Sequence, residues 1–162
     1  MFLKKLLGDK QPLPPPVPLK KIGLACLGGF LIIAVLALLS DATSTPLILG
    51  SFGATCVLVF GYPDAPFSQP RNVVIGHITT TFIGLLFLTF FGPNLWSLAL
   101  AVAIAIGVMI LFRVVHPPAG SNPVIIFLAQ PSWSFLLFPV AIGAVLIVIF
   151  ALIYLNLTRE IG

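Results

Sequence analysis

Charge is what this sequence has least of. Charged residues make up 7% of the 162 positions, and only four of them are acidic, whereas a soluble globular domain is about 25% charged. So few charges cannot cover a water-facing surface, and carboxylate pairs for acid–base chemistry have almost nowhere to come from. Cysteine is nearly as scarce. Cys26 and Cys56 both lie in apolar stretches, which excludes a disulfide framework or a zinc-ligand spacing and leaves them as small packing residues. No nucleophile stands beside an acid–base partner and no glycine-rich phosphate loop is present, so neither an enzyme nor a cofactor is expected. The net charge of +4 gathers mainly in Lys4, Lys5, Lys10, Lys20 and Lys21. That placement reads as a topology signal and not as a nucleic-acid patch.

Apolar residues fill the space instead: 59% of the chain is hydrophobic and the mean hydropathy is +1.19. A spanning helix needs roughly 20 apolar residues, so four to six crossings use up nearly the whole chain. The expected fold is all-α and integral to the membrane. Residues 1–19 form a basic, proline-rich cytoplasmic tail, and residues 20–162 form a single transmembrane domain. Pro12, Pro14, Pro15, Pro16 and Pro18 separate the first lysines from the first apolar run, which argues against a signal peptide and for an extended lead into the bilayer.

Four long apolar runs are expected to be spans: residues 22–40, 72–91, 95–112 and 135–155. Two short runs lie between them, residues 47–60 and 124–129. Gly50, Ser51 and Gly53 weaken helix in the first, so it is expected to be unwound up to about Ala54. In the second, Pro117 and Pro118 forbid regular helix and Gly120 frees the backbone, while Ser121 or Asn122 can cap a half-helix led by Pro123.

The order long, short, long occurs twice, in halves of about 22–91 and 92–155. Gly53 with Gly120, Val57 with Val124, Phe60 with Phe127, Val73 with Val140, Ile75 with Ile142 and Gly76 with Gly143 all stand 67 positions apart. Matching interrupted segments in two halves point to a transport site near the membrane midplane. With both short runs crossing, the N-terminal lysines, Arg71, Arg113 and Arg159 all fall on the cytoplasmic side, and the three-segment halves are inverted. The alternative is four spans with two re-entrant segments, which moves Arg71 and Arg113 outside.

Polar groups at membrane depth line a cavity or satisfy a neighbour. A buried half-helix start offers unpaired N–H groups and partial positive charge, which attract a small anion. The expected substrate-binding set is therefore Ser51, Gly53, Thr55, His116, Pro117, Pro118, Gly120, Ser121 and Asn122. His77 and Arg113 are pathway candidates. His116 stands where a substrate would pass and has the side-chain type that changes charge near neutral pH, which would suit proton-coupled anion movement. Each also has a plainer explanation: a packed histidine, a positive-inside anchor, or glycines that only let helices approach. Asn72, Gly76, Thr80 and Gly84 recur every four residues as one small or polar stripe, the pattern of a helix–helix contact face.

With these residues in view the chain resembles the HPP family of small integral membrane proteins, over about Lys20 to Leu155. The resemblance rests on Gly50-Ser51-Phe52-Gly53-Ala54, on Pro66-Phe67-Ser68-Gln69-Pro70-Arg71-Asn72 followed by Gly76-His77, and on Arg113-Val114-Val115-His116-Pro117-Pro118-Ala119-Gly120. Family members are described with four spans, and members in cyanobacteria and plastids are linked to nitrite transport. The resemblance thus implies nitrite as substrate, in a plasma membrane or a plastid or thylakoid-type membrane. Ser121 stands where the family pattern often has a second glycine. The functional expectation is transport of a small monovalent anion by a unit that works in the lipid bilayer as a homo-oligomer. The alternative is a non-transporting scaffold or regulatory subunit whose short segments only shape packing.

Overall fold

The computed structural model of the protein describes residues 15–43 and 47–158. Most of the basic tail, the 44–46 link, and Arg159 with Glu160 lie outside the described residues. Among the described residues six α-helices follow in order: α1 Leu19–Thr43, α2 Gly50–Gly61, α3 Pro70–Phe91, α4 Leu95–Leu111, α5 Asn122–Ala129 and α6 Ile142–Thr158. The fold is all-helical, as its apolar composition requires. Leu19–Thr43, Pro70–Phe91 and Trp133–Thr158 are each long and apolar enough to cross a bilayer, while α2 and α4 are shorter apolar helices. Outward-facing Phe30, Leu38, Trp96, Leu111, Leu128 and Leu157 are exposed, a surface suited to lipid and not to water.

Three local expectations are corrected. Gly50–Gly61 is helical throughout, so the first half of the short run is not unwound. Inside an apolar solvent a helix satisfies every backbone group, and that outweighs the weak propensity of Gly50 and Gly53. The stretch ahead of the second half-helix is also wound, as a 3-10 helix over Pro117–Ser121. Its prolines occupy the first positions, where no N–H is needed. The last span is not uniform: Trp133–Leu136 is 3-10, Leu137–Ala141 is a π turn, and α6 begins only at Ile142. Phe138, with φ −120° and ψ 120°, is in extended backbone and interrupts the helix there.

Two apolar clusters form the core. One joins Ile32 and Leu36 of α1, Phe52 and Val59 of α2, and Ala144 and Ile147 of α6; the other joins Ile83 and Leu85 of α3, Ala101 and Ala105 of α4, and Ile126 of α5. Along α3, Val73 belongs to the first cluster and Ile83 to the second, and His77 and Thr80 lie between them.

Contacts fix the direction of each passage. Leu47 N donates to Ser40 Oγ at 2.9 Å, whereas Phe60 at the far end of α2 meets the position of Gly28. Thus α2 runs back along α1 for its 12 residues, about 18 Å. At the same end Tyr154 Oη donates to Leu24 O at 2.7 Å, and a cavity of about 240 Å³ lies between Val59, Asp64, Gln69 and Leu155. Residues 116–119 pack on Gly76, and Pro123 and Ile126 pack on Gly84, so α5 advances alongside α3. The stripe Asn72, Gly76, Thr80 and Gly84 is buried along its length and is the contact face its spacing predicts.

Candidate functional site

Where the two short segments meet α3, five buried polar side chains come together. Thr55 of α2 is fully buried, and its Oγ1 lies 2.9 Å from His77 Nε2 and 2.9 Å from His116 Nε2. The two imidazoles are themselves fully buried, with ring centroids 5.1 Å apart. Asn122, the first residue of α5, places Nδ2 3.0 Å from His77 Nδ1, 3.2 Å from His77 O and 2.9 Å from Thr81 Oγ1. Phe52 closes the centre on one side, edge-on to His77 at 5.2 Å.

The partners assign the ring hydrogens. Phe67 O can only accept, so His116 donates from Nδ1 over 2.7 Å and its Nε2 carries the lone pair. The Asn122 amide nitrogen can only donate, so His77 Nδ1 accepts and its Nε2 carries the hydrogen. Thr55 Oγ1 therefore accepts from His77. For its own hydrogen it has two acceptors within 2.9 Å, His116 Nε2 and the Ser51 carbonyl one turn back. Two buried atoms have no hydrogen-bond partner among the described residues: Ser51 Oγ and Asn122 Oδ1.

Loops at one end hold this centre in place. Asn72 Nδ2 donates to Pro66 O at 2.8 Å and to Val115 O at 3.2 Å, and Arg71 Nε donates to Asn72 Oδ1 at 3.2 Å. Ser68 Oγ donates to Tyr62 O and Leu58 O. The Pro66–Asn72 loop thus ties the end of α2 to the segment carrying His116.

Of the expected binding residues, the structure gathers Ser51, Thr55, His116 and Asn122, with Pro118 buried next to them. Gly53, Pro117 and Ser121 face outward, and Gly120 is half-buried with nothing near its α-carbon side. Of the pathway candidates, His77 joins the centre. Arg113 does not: it is exposed, at the end of α4, with φ 56°. The caps are also corrected. Ser121 Oγ donates to Pro118 O and Asn122 turns to His77, so neither caps α5. The N–H of Asn122 bonds to Ala119 O and that of Ala119 to His116 O. Those donors are spent inside the 3-10 turn, so the expected row of free N–H groups is reduced. Sequence reasoning missed Thr81, although it stands four residues after His77 on the same helix face, and it missed the carbonyl of Phe67, for which no local pattern exists. Cys56 is packed in the core as expected, whereas Cys26 is exposed on the outside of α1.

Comparison with known proteins bears on the whole chain. It is 34% identical over 173 residues to a transmembrane protein of Dictyostelium discoideum, covering 98% of this chain and 60% of that protein. A second transmembrane protein of the same organism is 36% identical over 171 residues, covering 98% and 55%. The chain thus spans somewhat more than half the length of these relatives. No solved structure matches. Residues 14–161 match the model of the HPP transmembrane region, a stretch that contains every residue of the polar centre, and the chain belongs to this family of membrane proteins.

Proposed function

We propose that the protein moves a small monovalent anion, nitrite first, across its membrane through the centre formed by Ser51, Thr55, His77, His116 and Asn122. One observation carries the reading: two fully buried histidines bridged by one threonine hydroxyl inside an apolar bundle. Buried polar groups in such a solvent cost several kcal/mol unless they serve each other or a passing solute. Here Ser51 Oγ remains a free donor, which an anion can take. The acidic residues Asp41 and Asp64 are exposed, so among the described residues no fixed negative charge opposes an anion at the centre.

The binding groups in this reading are side chains more than half-helix ends, since the 3-10 turn uses the N–H groups ahead of α5. The two short segments contribute in parallel: Thr55 and Asn122 stand the same 67 positions apart as the matched glycines, and they bond to opposite nitrogens of His77. That equivalence supports two related halves with the site between them. Assembly as a homo-oligomer with a cytoplasmic N-terminus belongs to the same proposal.

Nitrite uptake into proteoliposomes, measured against protein-free vesicles, tests the function. Saturable uptake that drops when Ser51 is changed to alanine is the expected result. No uptake of nitrite or of any other small anion, together with a stable partner on co-purification, would establish the scaffold role instead.

A further inference from the structure

We infer that the polar centre binds one proton, at His116 Nε2, and that the Thr55 hydroxyl turns to accommodate it. In the neutral state Thr55 accepts from His77 Nε2 and donates to His116 Nε2, the lone-pair nitrogen. When that lone pair takes a proton from hydronium, an N–H bond forms as the hydronium O–H bond breaks and leaves water, the Thr55 hydrogen bond to Nε2 is released, and the ring becomes a cation that donates from both nitrogens. The Thr55 hydrogen then swings to the Ser51 carbonyl, already 2.9 Å away. Its oxygen accepts from both imidazoles, which two lone pairs allow. In each state both imidazoles and the Thr55 hydroxyl are bonded with every heavy atom in place.

His77 lacks this freedom. A proton on its Nδ1 would face the Asn122 amide nitrogen at 3.0 Å, donor against donor. The amide would have to reverse, presenting Oδ1 and giving up its bond to His77 O, while the Thr81 hydroxyl would have to turn from acceptor to donor. His116 is therefore the ring that charges, and His77 is a positioning residue whose Nε2 hydrogen orients Thr55.

The groups facing His116 are Thr55 from α2, Gly76 and His77 from α3, and the Phe67 carbonyl. His77 is the one titratable side chain among them. Neither α4 nor α5 carries a titratable residue. Cys56 packs toward Gly29 and Tyr154 is bonded to Leu24. Asp64, Arg71 and Arg113 are exposed, and Arg71 meets Asn72. A proton on His116 is thus the centre's own positive charge, and it supplies the counter-charge for one monovalent anion. That coupling rests on the transport reading above; the proton site does not.

The chain has two histidines, so nitrogen NMR of histidine-labelled protein in lipid nanodiscs resolves both rings, assigned by replacing one at a time. Near pH 8 the rings should be opposite tautomers, and as the pH is lowered His116 should gain a hydrogen at Nε2 before His77 takes one up. Thr55→Val should lower the proton affinity of His116 by about tenfold, a shift of about one pH unit; Thr55→Ser, which keeps the hydroxyl, should not. Like tautomers, His77 charging first, or a valine variant that titrates as wild type would each overturn the site. In proteoliposomes holding a pH dye, one proton should enter with each nitrite. Nitrite uptake without proton uptake sinks the coupling alone, and absent nitrite uptake with the expected NMR titration sinks the transport reading but leaves the proton site standing.

Discussion

Gly76 of α3 and His116 approach so closely that a Cβ on Gly76 would lie 3.0 Å from His116 Cβ and 3.3 Å from the Val114 carbonyl oxygen. Only a hydrogen leaves room for the 114–119 segment to lie flat on α3. That approach sets the reach of His116 to Thr55.

Gly76→Ala should therefore separate the imidazole from Thr55 by a few tenths of an ångström. Overpacking costs about 1–3 kcal/mol, against a gain of nearly 1 kcal/mol in helix propensity. The expected outcome is a small loss of thermal stability in detergent and a larger loss of nitrite uptake. Equal uptake in the alanine variant would show that the glycine serves packing alone.

Gly143 of α6 repeats the relationship, since a Cβ there would collide with the ring of Phe52. Gly143 stands 67 positions after Gly76, and Phe52 stands 67 before Ala119, which itself packs on Gly76. The two glycines thus each receive the short segment of the opposite half. Gly143→Ala should push Phe52 toward His77 and destabilise the protein, while adding Phe52→Leu should recover part of the loss. Thermal unfolding of the two single variants and the double one measures the coupling, and strict additivity would deny the contact.

Asn122 presents its amide nitrogen to three acceptors. Alanine there leaves His77 Nδ1 without a donor, a cost of about 1–3 kcal/mol. Aspartate places an acceptor against those same acceptors and a charge beside the proposed anion, which at about 4 Å and an effective dielectric of 20 repels it by roughly 4 kcal/mol. Nitrite uptake should fall in the order wild type, alanine, aspartate, and aspartate should also be the less stable variant in a melt. An aspartate variant as active as alanine would place the anion elsewhere.

Topology can be read by labelling single cysteines in a background lacking Cys26 and Cys56. Arg71 and Arg113 stand at one end of the antiparallel α3–α4 pair, whose turn is at Gly92–Asn94. Cysteines at 64, 71 and 113 should react with an impermeant reagent from the cytoplasmic side, and one at 94 from the other. Reaction at 71 from outside would restore the four-span arrangement.

The apolar runs made the helices legible, and the four-residue stripe on α3 made its contact face legible. Pro117, Pro118 and Gly120 drew attention to the right segment, but propensity gave the wrong local conformation in both short runs. In lipid, the demand that every backbone group be bonded overrides glycine's preference in α2 and winds the prolines into a 3-10 turn. Asn122 looked like a cap because asparagine caps helices in isolation. In the fold a better set of acceptors lies across on α3.

By itself the sequence determined the solvent, the element order and the family, because hydropathy and local motifs are properties of neighbouring residues. The tertiary structure alone decided that His77 and His116 share one hydroxyl, and that Gly53 and Ser121 face outward while Ser51 and Asn122 face in. Those facts depend on bonds spanning 22 to 61 positions, which packing of α2, α3 and the 3-10 turn brings within 3 Å and no local pattern encodes.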